Sequence, residues 1–301
     1  MSLTLPPVGT SRMLELMSPY VPDDFFAEVC PRHLTGGRRH ALSAAQLWRT
    51  HLLAVLTSTH SLNLLVTQLP EQAAWRRFAR LRRTLPTAQM LHEFRQTVGV
   101  GGLRAINQHL VGRLLRRTDL QPHTVALMDA TDLPAACSGF KKNSGNYTTA
   151  HAALGGRTLK SGQSRWFVGY KKHTLRLWLP TGHPAVTLVP LVSWLTPGNV
   201  AEGGLLRPSL HGCRRHLGWW PGIVVADMGY AVGQHDTLFG LLPLARRVAQ
   251  RLLRQVRPWI EPAQSFEKNQ LGLGQMFFNS LRLTWQLGLW TDSAVLLRTM
   301  V

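Results

Sequence analysis

The sequence predicts an α/β protein whose N-terminal part is all-helical. Three observations lead there. Between residues 43 and 115, apolar residues recur at helical spacing. From residue 124 the pattern changes to short apolar runs separated by turns and helical stretches. Two of these runs, residues 124–128 and 223–226, each lead into an aspartate, Asp129 and Asp227. The expected division is a helical domain over 1–118 and an α/β domain over 119–301.

Residues 1–40 are punctuated by proline and glycine, with short helices expected near 12–17 and after Asp23 and Asp24. Ser43 is placed as an N-cap, followed by a buried helix carrying Leu47, Trp48, Leu52, Leu53, Val55 and Leu56. Ser61 opens a second apolar segment. A basic stretch comes next, with six arginines between residues 76 and 95 beside Trp75 and Phe78. It reads either as a solvated helix face or as a DNA-contacting element, and the second reading is preferred. Pro86 and Thr87 open a helix with Met90, Leu91, Phe94 and Val98 on one face; Gly99, Gly101 and Gly102 are expected to end it. A further helix is expected over 103–115.

Residues 118–122 read as a linker and 139–164 as a long basic loop without apolar periodicity. A hairpin is expected from runs at 165–179 and 185–194 around a turn at 180–184. Residues 201–217 suit a helix, interrupted or ended near Gly212. A strand at 223–226 comes next, and 271–300 is helical in character, with Phe277, Leu281, Trp285 and Leu289 in register.

Composition narrows the function. Lys and Arg outnumber Asp and Glu by 34 to 15, a formal charge of +19. Such an excess favours a polyanionic partner, because basic contacts to phosphate release counterions. Nucleic acid is the preferred partner; RNA or an anionic membrane satisfies the same charge, and the plainer reading is a basic but otherwise ordinary enzyme. Cys30, Cys137 and Cys213 are isolated and suggest neither zinc nor a redox pair. Residues 1–10 lack the basic start and apolar core of a secretory signal, and no apolar run is long enough to span a bilayer. A cytoplasmic protein with no membrane partner is expected.

Residues 120–301 hold only eight acids: Asp129, Asp132, Glu202, Asp227, Asp236, Glu261, Glu267 and Asp292. A carboxylate at a buried strand end is costly unless paired or bound to a cation. Asp129 is preferred over Asp132, which is read as lying in a turn before Pro134. A capping role after a strand is the plainer reading of Asp129 or Asp227 taken singly. Glu261 is preferred over Glu267, because Arg257 and Lys268 stand at offsets Arg-x3-Glu-x6-Lys from it. Mg²⁺ suits a set of carboxylates, completing its octahedron with water and phosphate oxygens. His173 is read as structural rather than as a ligand.

Together these residues resemble the bacterial insertion-sequence transposases of the DDE superfamily, in the branch with a Tyr-x2-Arg-x3-Glu-x6-Lys signature. The matching pieces are Met128-Asp129-Ala130-Thr131, Val168-Gly169-Tyr170-Lys171-Lys172-His173, Thr196-Pro197-Gly198-Asn199-Val200, Val225-Ala226-Asp227-Met228-Gly229-Tyr230, and Arg257, Glu261 and Lys268. The resemblance implies an RNase H-like mixed sheet flanked by helices. It implies that Asp129, Asp227 and Glu261 are catalytic and bind two Mg²⁺ ions, with Mn²⁺ as a substitute. Arg257 and Lys268 would hold DNA phosphates, joined by Lys171, Lys172 and Arg254. The implied reaction is hydrolysis at the ends of the mobile element, then attack of the freed 3′-OH on target DNA. The implied partners are double-stranded DNA, as element ends and target, and a second copy of the chain in a homodimeric synaptic complex. Three departures stand out: Arg254 occupies the signature tyrosine position; Pro258 and Pro262 flank the signature, with Pro262 placing Glu261 at a helix start; and the segment between Asp227 and Glu261 is short, where many relatives carry a β-rich insertion. Two alternatives remain open, a catalytically decayed or regulatory DNA-binding protein and an RNase H-like nuclease that cuts without joining.

Overall fold

The computed structural model describes residues 5–30, 41–118, 125–136, 151–158, 161–179, 188–230, 246–275 and 280–301. The expected linker at 118–122, the turn at 180–184, most of the basic loop, Cys137, Asp236 and Phe277 lie outside the described residues wholly or in large part. The chain divides into two compact units. The first comprises Met1–Leu114, Glu267–Leu273 and Leu289–Val301; the second comprises Leu115–Phe266 and Gly274–Gly288.

The first unit is helical among the described residues. Its helices are α1 (Ser11–Met17), α2 (Asp23–Val29), α3 (Ala44–Leu56), α4 (Leu62–Gln68), α5 (Ala73–Phe78) and most of α6 (Ala88–Thr118). Ser43 caps α3 through a full capping box: its hydroxyl accepts from the Gln46 N–H while the Gln46 side chain accepts from the Ser43 N–H. Ser61 and Thr87 accept from the third residue beyond them in the same way. The break foreseen at the glycines occurs at Gly99 alone, whose φ of 60° and ψ of −170° are non-helical. Gly101 and Gly102 continue the helix, a correction: neither takes a conformation that a helix forbids.

Arg49 joins three of these helices. Its side chain is fully buried, and all five of its N–H groups are used. Nε and Nη2 donate to the two oxygens of Asp23 at 2.7 and 2.8 Å. Nη1 donates to Ser18 Oγ and the Phe78 carbonyl, each at 2.9 Å, and Nη2 to the Ser18 carbonyl at 3.0 Å. The end of α1, the start of α2 and the end of α5 thus meet on one guanidinium. The C-terminal part of the chain adds a packing layer: Trp290 lies against Trp48 and His51, and Asn107 donates to the Leu289 carbonyl.

The second unit holds a five-stranded mixed sheet. Its strands are β1 (Val125–Pro134), β2 (Ala153–Thr158), β3 (Ser164–Trp178), β4 (Leu188–Pro197) and β5 (Ile223–Ala226). β1 runs antiparallel to β3 and parallel to β5. The other edge of β3 carries β2 along residues 164–169 and β4 along 170–178. Helices α7 (Leu206–Leu217), α8 (Arg246–Val256) and α9 (Ile260–Ser265) accompany the sheet, and α10 (Leu281–Thr299) comes last. This is the mixed sheet flanked by helices, after a helical N-terminal region, that the resemblance implied.

Three expectations are corrected. The stretch 139–164 is not all loop, since β2 lies within it. Its strand pattern is hidden by Gly155 and Gly156, which pair with Phe167 and Trp166; a Cβ at Gly156 would stand 2.8 Å from the Trp166 ring. Asp132 is not in a turn, because β1 runs on to Pro134 and pairs Asp132 with Lys171. Gly212 does not end α7. It sits where a Cβ would lie 3.3 Å from Val192, so it brings the helix close to the sheet; the helix ends at Gly218, in the left-handed conformation.

Replacing Arg49 by alanine leaves Asp23 part-buried without its bidentate partner. Asp23 keeps its ion pair with Arg80 at 2.6 Å, so we expect a loss of about 2–3 kcal/mol, below the range for leaving a buried charge unpaired. A urea titration checks this: the midpoint should fall with an unchanged slope.

Candidate active site

The site is built on the alternation of side chains along two neighbouring parallel strands. In β1, Val125, Leu127 and Asp129 share one face. In β5, Ile223 and Val225 share a face, and Asp227 is the next residue in that row. The register pairs Met128 with Ala226, so Asp129 and Asp227 are the next positions along the same parallel pair. Both rows are covered by helices from later in the chain. Val125, Leu127, Ile223 and Val225 form a core cluster with Leu252 and Val256 of α8, with Trp259, and with Ile260 and Ala263 of α9. The two aspartates therefore end the hydrophobic rows on which α8 and α9 are seated.

Glu261 lies on α9. Ile260 and Ala263 face the sheet, and Gln264, one position further on, donates to Asp129 Oδ2 and to the Ala130 carbonyl, the latter at 3.2 Å. Glu261 precedes Gln264 by about one turn and is exposed. Its helix start is made by the Arg257–Trp259 3₁₀ turn with Pro258 inside it, and Glu261 itself is helical. Glu267 is buried and belongs to the first unit, where the Leu273 N–H donates to its carbonyl at 3.0 Å. Asp132, by alternation, points to the face opposite Asp129.

Asp129 has an unfavourable setting for a charge. Burial pushes its carboxyl from 3.8 up to about 6; Asp227 and Glu202 reinforce that rise, while the Ala130 N–H and the Arg176 guanidinium oppose it. The turn after β5 is held by a second set of contacts. The Tyr230 N–H donates to the Asp227 carbonyl at 2.9 Å. The Tyr230 hydroxyl is 2.8 Å from His173 Nδ1, and His173 Nε2 is 2.9 Å from Thr196 Oγ1. His173 is fully buried, and desolvation, helped by the Lys171 charge, lowers its pKa to about 4. It is a neutral hydrogen-bonding residue between strands, not a ligand facing the acids.

The basic residues have different settings. Arg254 and Arg257 are exposed, on α8 and at the turn after it. Lys171 is 13% exposed and its ammonium lies 3.0 Å from Glu202 Oε1. Lys172 is 2% exposed and offers no free surface to a phosphate as it stands. Lys268 is half-buried in the π-helical turn Phe266–Gln270.

Two segments of the chain match known families. Residues 7–97 match a transposase domain family (DUF772), and residues 120–268 match the transposase DDE domain family. The chain belongs to the DDE transposases of insertion sequences. No curated protein and no solved structure matched it. The DDE match covers β1, β5 and the segment with Arg257, Glu261 and Lys268, so Asp129, Asp227 and Glu261 of the transposase all fall inside it. No helix among the described residues is long and apolar enough to cross a membrane.

Sequence reasoning missed Gln264, Glu202 and Tyr230. Gln264 had a usable signal, since it stands three residues after Glu261 and so on the adjoining helix turn. Glu202 was visible as one of few acids, but nothing in the sequence tied it to Lys171. Among the described residues, no three His, Cys, Asp or Glu side chains stand close enough together to hold a metal ion.

The raised carboxyl of Asp129 gives a signed pH effect. Its neutral form is fully present below the ordinary value of 3.8, and the stability it brings is lost as pH rises through about 6. In the metal-free chain, Asp129→Asn is therefore expected to raise Tm by a few degrees at pH 7.5. The gain should vanish as pH falls toward 4. Thermal melts across that range test it, and a pH-independent difference counts against an Asp129 charge that its surroundings disfavour.

Proposed function

We propose that the transposase cuts DNA at the ends of its insertion sequence and joins the freed 3′-OH to target DNA. The observation that carries the reading is the convergence of Asp129 and Asp227 at the ends of two paired rows, under the helix that bears Glu261. In this reading Asp129, Asp227 and Glu261 are the three acids of the site, and the chain belongs to the Tyr-Arg-Glu-Lys branch. In this reading the helices of residues 1–118 bind DNA and residues 119–301 carry the catalytic acids, with Glu267–Leu273 and Leu289–Val301 packing into the helical unit.

What supports divalent ions is the chemistry of the donors rather than a gathered cluster, since the three acids, all among the described residues, are not brought together in this structure. The donors are carboxylate oxygens, the hard ligands that Mg²⁺ and Mn²⁺ take. Asp129 also carries a charge that its surroundings oppose and that a cation would relieve. When bound, two such ions supply Lewis-acid activation of the attacking oxygen and stabilisation of the leaving one. The chain's own residues do the rest. Asp129 and Asp227 are fixed by strand pairing; Gln264 restrains Asp129 through an amide that keeps its carboxylate oriented. Arg254 and Arg257, both exposed beside α9, hold the backbone of the DNA end. Arg254 brings a phosphate-binding group to the signature tyrosine position. Lys171, tied to Glu202, and Lys172, buried, support the sheet in this conformation; Lys268 completes the signature from the π-helical turn. The partners are double-stranded DNA, as element ends and target, and a second copy that brings the other end into a homodimeric synaptic complex. The reaction takes place in the bacterial cytoplasm, on the nucleoid.

Incubation of the full chain with Mg²⁺ and DNA carrying the element's ends tests the reading. Nicking and strand joining are both expected. Asp227→Asn should reduce nicking by more than about 100-fold, beyond the usual cost of losing an outer-shell partner, while end binding persists. Binding without any cutting by the unsubstituted chain leaves a regulatory or decayed protein; cutting without joining leaves a nuclease. Separately, Arg254→Ala and Arg257→Ala should each lower the salt slope of DNA binding by about one counterion, read from log K against log salt.

A further inference from the structure

We infer that Glu202 is a positioning residue for Asp227, acting through the space left at Gly229, and that it is not itself a metal ligand. The inference rests on the proposed role of Asp227 as an acid of the site.

Glu202 comes after β4, at the start of the Glu202–Leu205 3₁₀ turn. One of its carboxylate oxygens, Oε1, accepts from the Lys171 ammonium at 3.0 Å. The other, Oε2, lies 2.6 Å from the place a Cβ would take on Gly229. Gly229 is not in the left-handed region, so its backbone does not call for glycine. What favours glycine is room: the Glu202 carboxylate, tethered by Lys171, stands too close for a Cβ there unless it shifts. Gly229 is two residues after Asp227, in the turn that the Tyr230 N–H closes onto the Asp227 carbonyl.

Lys171 and His173 lie on the same face of β3, two residues apart, on the face opposite Asp129. Each grips the Asp227–Tyr230 turn through a partner. His173 does so through the Tyr230 hydroxyl, and Lys171 through Glu202 against Gly229. The turn is thus clamped from one face of the sheet while Asp227 continues the row on the other. A lysine-neutralised carboxylate packed against a glycine is a poor ligand for a divalent ion. The same contacts make it a good stop for the turn, since any sideways shift of Asp227 drives Gly229 into an anchored charge.

The test uses the full-length chain and Mn²⁺ titration monitored by electron paramagnetic resonance, with Tm measured on every variant. Asp227→Asn serves as the reference and should remove high-affinity Mn²⁺ binding. Gly229→Ala displaces the carboxylate and should weaken Mn²⁺ binding by about 10-fold or more, the usual cost of disturbing an outer-shell support. Glu202→Ala should weaken it similarly. Adding Gly229→Ala to Glu202→Ala should cost little more, because the contact is already gone. Glu202→Gln keeps size and an acceptor for Lys171, and should retain most of the affinity. The Mg²⁺ concentration for half-maximal nicking should track the same order, with the maximal rate largely recovered at high Mg²⁺. Glu202→Gln as damaging as Glu202→Ala overturns the inference in favour of a ligand role. Unchanged Mn²⁺ affinity in Gly229→Ala overturns it as well. If Asp227→Asn itself leaves Mn²⁺ binding intact, the proposed metal site fails, and the clamp fails with it.

Discussion

The constraint on which the second unit depends is the parallel pairing of β1 with β5. Parallel strands have no direct connection and must be joined by a long crossover, so their neighbours in space are distant in sequence. Here the crossover contains β2, β3, β4 and α7. Once Met128 is paired with Ala226, the alternation of side chains dictates the face on which every other residue of the two strands lies. Val125 and Leu127 share a face with Asp129, and Ile223 and Val225 share one with Asp227. The same rows that bury apolar surface under α8 and α9 therefore deliver two carboxylates to adjacent places. A one-residue slip in either strand would turn its aspartate to the other face and expose its core residues together. Core and site are protected by the same register.

Helix seating fixes the element that carries Glu261. α9 is only six residues long and would not hold its shape alone. It is fixed by Ile260 and Ala263 in the core and by the Gln264 amide on Asp129. The prolines that disturb the sequence pattern serve this geometry. Pro258 sits in the 3₁₀ turn that redirects the chain between α8 and α9. Pro262 lies in the first turn of α9, where the missing N–H has no helical partner to lose.

Much of this was legible in the sequence because it depends on local chemistry. Ser43, Ser61 and Thr87 start helices where hydroxyls before apolar runs are expected to, and Gly99 breaks one. The runs at 125–128 and 223–226 are recognisable as strands because both faces are apolar. What was not legible depends on distant partners. β2 has no strand signal of its own, since its glycines have meaning only opposite Phe167 and Trp166. The extent of β1 past Asp129 is hidden, because Ala130 to Pro134 looks like a turn until β3 supplies its ladder. The last helix is buried almost all round, with no single apolar stripe to mark its packing face, so the sequence could not tell that Trp285 would meet Trp194 while Trp290 would meet Trp48. Of the site, the aspartates are visible as strand-end acids, whereas Gln264 and Glu202 required the fold.

Charge gives Asp129 its distinctive place. In a chain with 34 basic residues, an acid easily finds a cation. Asp23 is bound by Arg49 and Arg80, and Glu202 by Lys171. Asp129 instead takes its hydrogen bonds from neutral groups, the Gln264 amide and the Ala130 N–H, with the Arg176 charge as its counterweight. Asp227 and Glu202 press on it with the same sign, and burial removes the water that would screen them. A fold selected only for stability would replace such a group, because buried polar positions of similar volume are often no less stable when apolar. A place beside Asp227, at the end of a packed row, fits the proposed role of the two aspartates as acids that hold a divalent cation.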